Sequence, residues 1–223
     1  MLPESLERTE IQQLKGLVET IFNEIKRHHD LNRKLEIRKH LLGPLGEALG
    51  IIYLFQEHGS SAKYKWFGGR KKDYDILIEK GDGTLNKIQI KASAAQDYSF
   101  EITVKGFRNI SEIHKDLSRN DFKKAFAVIE KSVNEKEIDR WLFIHIREDC
   151  IDFFLIDKSA LYRAIKHDYR RYVEHINQGK NKERNNYAII DSENPFVRFI
   201  LKDENVGDIF DGCKVRSSSY FLS

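Results

Sequence analysis

The sequence predicts an α/β protein of the α+β type, in which a central mixed β-sheet is flanked by helices and follows a helical N-terminal region. Three observations predict this class. The first sixty residues carry apolar side chains at the three-and-four spacing of helices. Residues 59–157 instead hold short apolar runs separated by turn residues, a pattern typical of strands. One of these runs, residues 125–129, is apolar throughout, as expected for a strand buried on both faces.

The N-terminal helices are predicted from their apolar spacing. Residues 5–29 place Ile, Leu, Val and Phe on one helical face with charged residues between them. Residues 31–42 predict a second, basic helix, whose cations fit phosphate contacts and an ordinary solvated face equally well. Gly43-Pro44 is expected to end that helix and to begin the helix that carries Glu47.

Four strands in succession are expected after the helices, and their succession predicts a meander. These strands cover residues 64–67, 75–79, 87–91 and 99–104. A helix over residues 109–122 and the buried, parallel strand at 125–129 are expected next. Two further strands at 141–146 and 151–156 are expected to be joined by a hairpin turn at 147–150.

Residues 73–93 predict a β-hairpin with an unusual set of polar side chains. A short aliphatic run follows Asp75 and ends in the turn Lys80-Gly81-Asp82-Gly83, whose glycines permit positive φ angles. Two isoleucines then alternate with Gln89 and Lys91 along the returning strand. Because side chains alternate between the faces of a strand, the amide and the ammonium share one face beside Asp75.

This hairpin resembles the signature of the PD-(D/E)xK nuclease superfamily. That signature is an acid opening one strand, a hairpin, and then an acid or glutamine, any residue and a lysine on the next strand. Here it is Asp75 followed by Gln89-Ile90-Lys91. The family often adds a glutamate from a preceding helix, and Glu47 stands in that place. Gln89 departs from the usual acid, and no proline precedes Asp75. The resemblance implies a restriction-endonuclease-like fold and metal-dependent cleavage of phosphodiesters.

The resemblance also implies a role for each side chain. Asp75 would supply the main carboxylate for Mg²⁺, for which Mn²⁺ can substitute. The Gln89 side-chain oxygen or the Ile90 carbonyl would complete the coordination, while Glu47 would hold a metal-bound water. Lys91 would orient the attacking water and offset charge on the pentavalent phosphate. With a neutral amide in place of a second acid, the metal site is expected to be weak until the phosphate adds its own oxygens.

Ordinary structural roles compete with these assignments. A lysine in a strand usually points to solvent, and an aspartate before a strand is often a turn residue. Glu47 fits a solvated helix face as well as a catalytic role. Asp73 is a rival to Asp75, since it would share the same face if the strand began two residues earlier. Asp75 is preferred because the aliphatic run begins directly after it.

Residues 158–184 form the most basic segment of the chain. Eight lysines and arginines face three acidic residues there, and tyrosines lie between them. Cations that bind phosphates and aromatic faces that stack on sugars or bases are typical of nucleic-acid-binding surfaces. A surface helix accounts for the same segment equally well. The residues expected to bind nucleic acid are Arg163, Lys166, Arg170, Arg171, Lys180, Lys182 and Arg184.

Length and composition predict one nuclease-like domain of 223 residues. Its expected parts are a helical region at 1–58, a sheet core at 59–157 and a basic helix with a C-terminal elaboration at 158–223. The net charge is only +3, so any surface for nucleic acid must come from local clustering. Cys150 and Cys213 form no CxxC pair, which predicts reduced thiols and no zinc.

The expected location is the cytoplasm, without a membrane segment. The N-terminus lacks a basic and then apolar export signal, and no apolar run reaches the ~18 residues of a membrane span. Three histidines are rejected as metal ligands. His28 and His29 are adjacent on a helix and point in different directions, and His145 stands alone in an apolar strand.

The leading expectation is a Mg²⁺-dependent DNA endonuclease, most similar to a type II restriction endonuclease. It would act on double-stranded DNA by one-step attack of water on phosphorus. A homodimer is favoured because two nicks need two sites. One alternative is an inactive nucleic-acid-binding or assembly module of the same fold, which Gln89 favours. A Holliday-junction nuclease or an RNA nuclease is another.

Overall fold

The computed structural model describes slightly more than half of the chain. The described residues are 6–27, 37–68, 73–93, 98–103, 123, 127, 130–131, 133–146, 151–163, 166, 196–201 and 214–217. Helix α1 spans Arg8–Arg27 and helix α2 spans Ile37–His58, followed by a 3₁₀ turn at Gly59–Ser61. The strands are β1 (Lys63–Trp66), β2 (Ile76–Glu79), β3 (Leu85–Ser93), β4 (Tyr98–Thr103), β5 (Arg140–Ile146), β6 (Ile151–Asp157), β7 (Phe196–Leu201) and β8 (Lys214–Ser217).

The main sheet is mixed, and its strand order is β1-β2-β3-β5-β6-β8. Strands β1, β2 and β3 pair in antiparallel fashion, which confirms the predicted hairpin. Strand β5 lies parallel to β3, with Trp141 opposite Gln89. Together with α1 and α2, this sheet confirms the α+β class. No helix in the described part of the chain is both long and apolar enough to cross a membrane.

The chain divides into two compact units. The first comprises Met1–Ala94, Glu137–Leu155 and Lys214–Ser223, and it holds α1, α2, the β1-β2-β3 hairpins and β5. The second comprises Ala95–Lys136 and Ile156–Cys213, and it holds the β4-β7 pair.

The predicted meander is wrong at its fourth strand. Strand β4 pairs with β7 in a separate two-stranded sheet, with Tyr98 opposite Leu201. Strand β5 lies beside β3 in the position expected for β4. Because β5 is parallel to β3, the chain between them must cross over and cannot be a tight turn. Closeness in sequence therefore does not decide which strand extends the hairpin.

Two other predicted elements are also wrong. In place of the strand at 125–129, the described residues Ala127, Glu130 and Lys131 are helical, and Ala127 is exposed. A short apolar run does not distinguish a strand from a helix segment. The expected break at Gly43-Pro44 is absent because α2 continues through Pro44. A proline removes one helical hydrogen bond, and the buried turns that follow Pro44 offset that loss. The helix expected at 109–122 and the turn at 147–150 lie outside the described residues.

Helix α2 lies unusually close to β3 because two glycines face the strand. A Cβ atom built on Gly46 would lie 2.4 Å from the Ala92 Cβ, and one on Gly50 would lie 2.4 Å from Ile90 Cδ1. The Ala92 Cβ cannot move aside, so this approach requires glycine at position 46, whereas the Ile90 Cδ1 atom is the end of a flexible side chain. Glu47 directly follows Gly46 and is brought to the sheet by the same contact.

Tyr64 joins β1 to the end of α2. Its hydroxyl donates to the Gly59 carbonyl at 2.9 Å, and the Leu54 carbonyl lies 3.4 Å from the same oxygen. The ring is almost fully buried, and burial raises the pKa of Tyr64 from 10.0 to about 12. Tyr64 therefore keeps its proton up to a higher pH in the folded state than in the unfolded chain.

The substitution Tyr64→Phe is expected to lower the free energy of unfolding by about 1–2 kcal/mol, because it removes the donor from the half-buried Gly59 carbonyl. Urea denaturation measures this change. A second effect is expected at alkaline pH. Between 10.0 and about 12 the folded state binds more protons than the unfolded state, so the parent protein loses stability as the pH rises. The variant should lack that loss, and an identical alkaline slope would contradict the assignment.

Candidate functional site

Asp75 lies where the β2-β3 ladder ends. Its N–H donates to the Ile88 carbonyl at 2.9 Å, and its carbonyl accepts the Phe67 N–H at 3.0 Å. The next N–H of β3, from Ile90, donates to Asp75 Oδ2 at 2.7 Å. A side-chain oxygen thus replaces the missing strand partner, and this bond fixes the carboxylate against β3. Asp73, the rival acid, is exposed at a bend.

The Asp75 carboxylate is partly withdrawn from water. Burial raises its pKa, while the hydrogen bond from the Ile90 N–H and the positive charge of Lys91 act in the opposite direction. One carboxylate oxygen therefore has a fixed protein donor. The other oxygen has no protein hydrogen bond within the described residues.

Glu47 reaches the same place from α2. The Trp66 indole Nε1–H donates to Glu47 Oε2 at 2.5 Å. Burial raises the pKa of Glu47 and the charge of Asp75 raises it further, whereas the Trp66 hydrogen bond and Lys91 lower it. Asp75 is bonded to Ile90, the residue before Lys91, and Gly46 packs against Ala92, the residue after it, so Glu47, Asp75 and Lys91 lie in one neighbourhood. Helix α2, the start of β2 and strand β3 each contribute one of them.

Lys91 is half-buried on β3 and supplies the positive charge of the site. Its charge lowers the pKa of both Glu47 and Asp75. Among the described residues, neither carboxylate forms an ion pair with it at 4 Å or less. The ammonium acts through space, so a phosphate oxygen can approach it without displacing a salt bridge.

Gln89 is on the same strand as Lys91, but its oxygen already has a partner. The indole Nε1–H of Trp141 donates to Gln89 Oε1 at 3.0 Å. Trp141 is fully buried and lies opposite Gln89 in the parallel register of β3 and β5. The oxygen expected to bind metal is thus engaged by the protein itself.

Both tryptophans of the chain therefore hold a predicted site residue, and the sequence did not indicate either role. An indole N–H that is withdrawn from water usually has a hydrogen-bond acceptor, so the two tryptophans could have indicated that polar partners lie nearby. Trp66 lies on β1, 19 residues from Glu47, and Trp141 lies on β5, 52 residues from Gln89. The acceptor of Trp141 follows from the pairing of β3 with β5, and that of Trp66 from the packing of α2 against the sheet, and local patterns contain neither.

The carboxylates of Asp75 and Glu47 suit an ion such as Mg²⁺, which keeps several waters, better than an ion whose ligands all come from protein. The described residues contain no group of three or more His, Cys, Asp and Glu side chains placed to hold a metal. Mg²⁺ commonly uses one or two carboxylates, with waters and substrate phosphates as its other ligands. The free oxygens of Asp75 and Glu47 match that pattern. His145 is buried in β5, and His28, His29, Cys150 and Cys213 lie outside the described residues.

The predicted nucleic-acid-binding residues are only partly described. Arg163 is exposed and donates to the Ser159 hydroxyl at 3.1 Å. The Lys166 ammonium lies 5.8 Å from the centre of the Tyr162 ring. Arg170, Arg171, Lys180, Lys182 and Arg184 lie outside the described residues.

Comparison of the chain with protein-family models, curated proteins and solved structures finds no match. Its function is therefore inferred from the site itself.

Glu47→Gln is expected to stabilise the metal-free protein at neutral pH. Burial raises the pKa of Glu47, so stability falls as the pH rises through its folded-state pKa. The amide carries no charge and keeps an oxygen for the Trp66 N–H. Thermal unfolding in the presence of chelator should give a higher melting temperature for the variant than for the parent at neutral pH. Below pH 4.5, the ordinary pKa of a glutamate, the two melting temperatures should be equal. The exposed Glu135→Gln serves as the control, and a neutral-pH loss in Glu47→Gln would contradict the prediction.

Proposed function

We propose that this protein is a Mg²⁺-dependent DNA endonuclease of the restriction-endonuclease-like class. The observation that carries the proposal is the convergence of two half-buried carboxylates, Glu47 and Asp75, with the ammonium of Lys91. Acids that hold a hard cation beside a lysine that offsets phosphate charge are what phosphodiester hydrolysis requires.

The side chains have separate tasks in this proposal. Asp75 and Glu47 would bind Mg²⁺ through their free oxygens, and the bound ion would supply charge neutralisation and an activated water. The Ile90 N–H holds Asp75 and the Trp66 indole holds Glu47, so both carboxylates are oriented before metal binds. Lys91 offsets the negative charge that builds up on the phosphate.

The order of elements supports the finer assignment of fold. A helix carrying an acid precedes an antiparallel hairpin carrying an acid and a lysine, and a parallel strand then extends the sheet. Duplex DNA as substrate, the basic segment at 158–184 as its binding surface and a homodimer as the active form belong to the same proposal. A dimer provides one site for each strand.

Cleavage of supercoiled plasmid with Mg²⁺ or Mn²⁺ tests the proposal. Lys91→Ala is expected to reduce the rate about 100-fold or more, since one lost electrostatic contact to a transition state has about that effect. Lys87→Ala is the matched control because Lys87 lies on the same strand and pairs with Glu137 at 3.0 Å. It should cut like the parent. Equal cleavage rates for the parent, Lys91→Ala and Lys87→Ala would contradict the role assigned to Lys91.

A nucleic-acid-binding module without turnover is the second candidate. It is favoured by the bond from Trp141 to Gln89, which leaves only two carboxylates to hold metal. DNA binding that survives chelation, without cleavage of duplex, four-way junction or RNA substrates, would support it over the nuclease. Cleavage restricted to junctions or to RNA would retain the site and change the substrate.

A further inference from the structure

The bond between Trp141 and Gln89 fixes the orientation of the Gln89 carboxamide. An indole nitrogen is only a donor, so the Gln89 atom that it contacts at 3.0 Å is the oxygen. The amino group of the same carboxamide is attached to the same carbon and therefore points away from the indole. The Gln89 oxygen is thus directed toward β5, and its amino group, which forms no hydrogen bond within the described residues, keeps two N–H donors available to a ligand.

The parallel register keeps this orientation in place. Trp141 is fully buried and lies opposite Gln89, so its N–H has a fixed position at the strand pair. Rotating the carboxamide by half a turn would bring two donors together and leave a buried N–H without an acceptor. The lost hydrogen bond disfavours that rotamer by a factor of about ten.

We propose that Gln89 is a hydrogen-bond donor to a phosphodiester oxygen and not a metal ligand, and that Trp141 is the residue that positions it. The inference rests on the proposed function and specifies how that site meets its substrate. It assigns metal binding, among the side chains, to Asp75 and Glu47. It also gives a reason for an amide at this position, because a carboxylate there would repel the phosphate that Lys91 attracts.

Binding of a fluorescently labelled DNA duplex tests this role without turnover. Affinity is measured with Ca²⁺ and separately with chelator, for the parent and for Gln89→Ala. A direct contact predicts a loss of about tenfold under both conditions. A loss only with Ca²⁺ would overturn the proposal, because Gln89 would then act through the metal. Equal affinity of the parent and the variant under both conditions would also overturn it.

Metal binding gives the complementary measurement. Calorimetric titration with Mn²⁺ in the absence of DNA should give the same affinity for the parent and Gln89→Ala within about twofold. A tenfold loss in the variant would identify Gln89 as a ligand and overturn the proposal. Gln89→Glu is expected to bind Mn²⁺ more tightly and DNA more weakly, because it adds a charge and removes the donor.

The two tryptophans provide a readout that is independent of activity. Each donates its indole N–H to a different member of the site, so two indole signals in a nitrogen-proton spectrum report on Glu47 and Gln89 separately. The Trp66→Phe variant assigns them. Mg²⁺ should shift the Trp66 signal, and DNA in chelator should shift the Trp141 signal. A large Mg²⁺ shift at Trp141 with none at Trp66 would overturn the proposal.

Failure of this inference is distinguishable from failure of the proposed function. If cleavage depends on Lys91 while Gln89→Ala loses metal affinity, the nuclease assignment stands and only the role of Gln89 is wrong. If the parent neither cleaves nor binds DNA, both fall.

Discussion

Asp75→Asn is expected to reduce Mg²⁺-dependent cleavage about 1000-fold, because a metal ion contributes several kcal/mol to the transition state and each ~1.4 kcal/mol is a factor of ten in rate. The variant lacks the charge that we propose holds the cation. It keeps an oxygen that can accept the Ile90 N–H, so the end of the β2-β3 ladder is retained. Rates are measured on plasmid DNA at saturating enzyme, and folding is checked by thermal unfolding.

Asp73→Asn is the matched control for this substitution. Asp73 is exposed two residues earlier, and the same chemical change there should leave both cleavage and stability unaltered. If the Asp73 variant were inactive and the Asp75 variant active, the choice between the two acids would be reversed. If both cut like the parent, the metal site would have to lie elsewhere.

Gly46→Ala is expected to have the largest structural effect. The added methyl group would lie 2.4 Å from the Ala92 Cβ, which belongs to a strand and has no flexible end to move. Helix α2 must shift away from β3, at an expected cost of about 1–3 kcal/mol in the free energy of unfolding. Glu47 moves with the helix, and a displacement near 1 Å at a catalytic group lowers the rate about 100-fold. Urea denaturation and plasmid cleavage measure the two effects.

Gly43→Ala in the same helix separates this clash from a general effect of alanine. A Cβ built on Gly43 meets no atom within 4 Å other than those of its chain neighbours, so it causes no clash with β3. The gain in helix propensity is offset by crowding against the ring of Pro44, and the free energy of unfolding is expected to stay within about 1 kcal/mol of the parent. Combining Gly46→Ala with Ala92→Gly moves one methyl group across the interface and should restore part of the lost stability and activity. A Gly46→Ala variant as stable and active as Gly43→Ala would contradict the close packing.

Local pattern was sufficient to predict the hairpin and to place Asp75, Gln89 and Lys91 in it. The alternation of Ile88 and Ile90 with Gln89 and Lys91 fixed the strand, and the aliphatic run after Asp75 fixed where its partner begins. These features depend on neighbours in sequence, and residue types report them directly.

Contacts between distant residues were not predictable in the same way. The place of β5 beside β3 is not encoded by either strand alone, and the partner of Trp141 depends on that order. The partner of Trp66 depends on the packing of α2 against the sheet. The continuity of α2 through Pro44 also depends on tertiary packing, since the buried turns that follow offset the lost hydrogen bond. Sequence patterns therefore pointed to the candidate groups Asp75, Lys91 and Glu47 and missed the tryptophans that hydrogen-bond to the site.

The separation of bonded residues along the chain implies an order of assembly for the site. The bonds that fix Asp75 and Glu47 join residues 15 and 19 apart, whereas the bond that fixes Gln89 spans 52 residues. Short loops close with less loss of chain entropy than long ones. The acidic half of the site is therefore expected to form with the hairpin and α2, and the amide gains its fixed direction only when the returning chain adds β5.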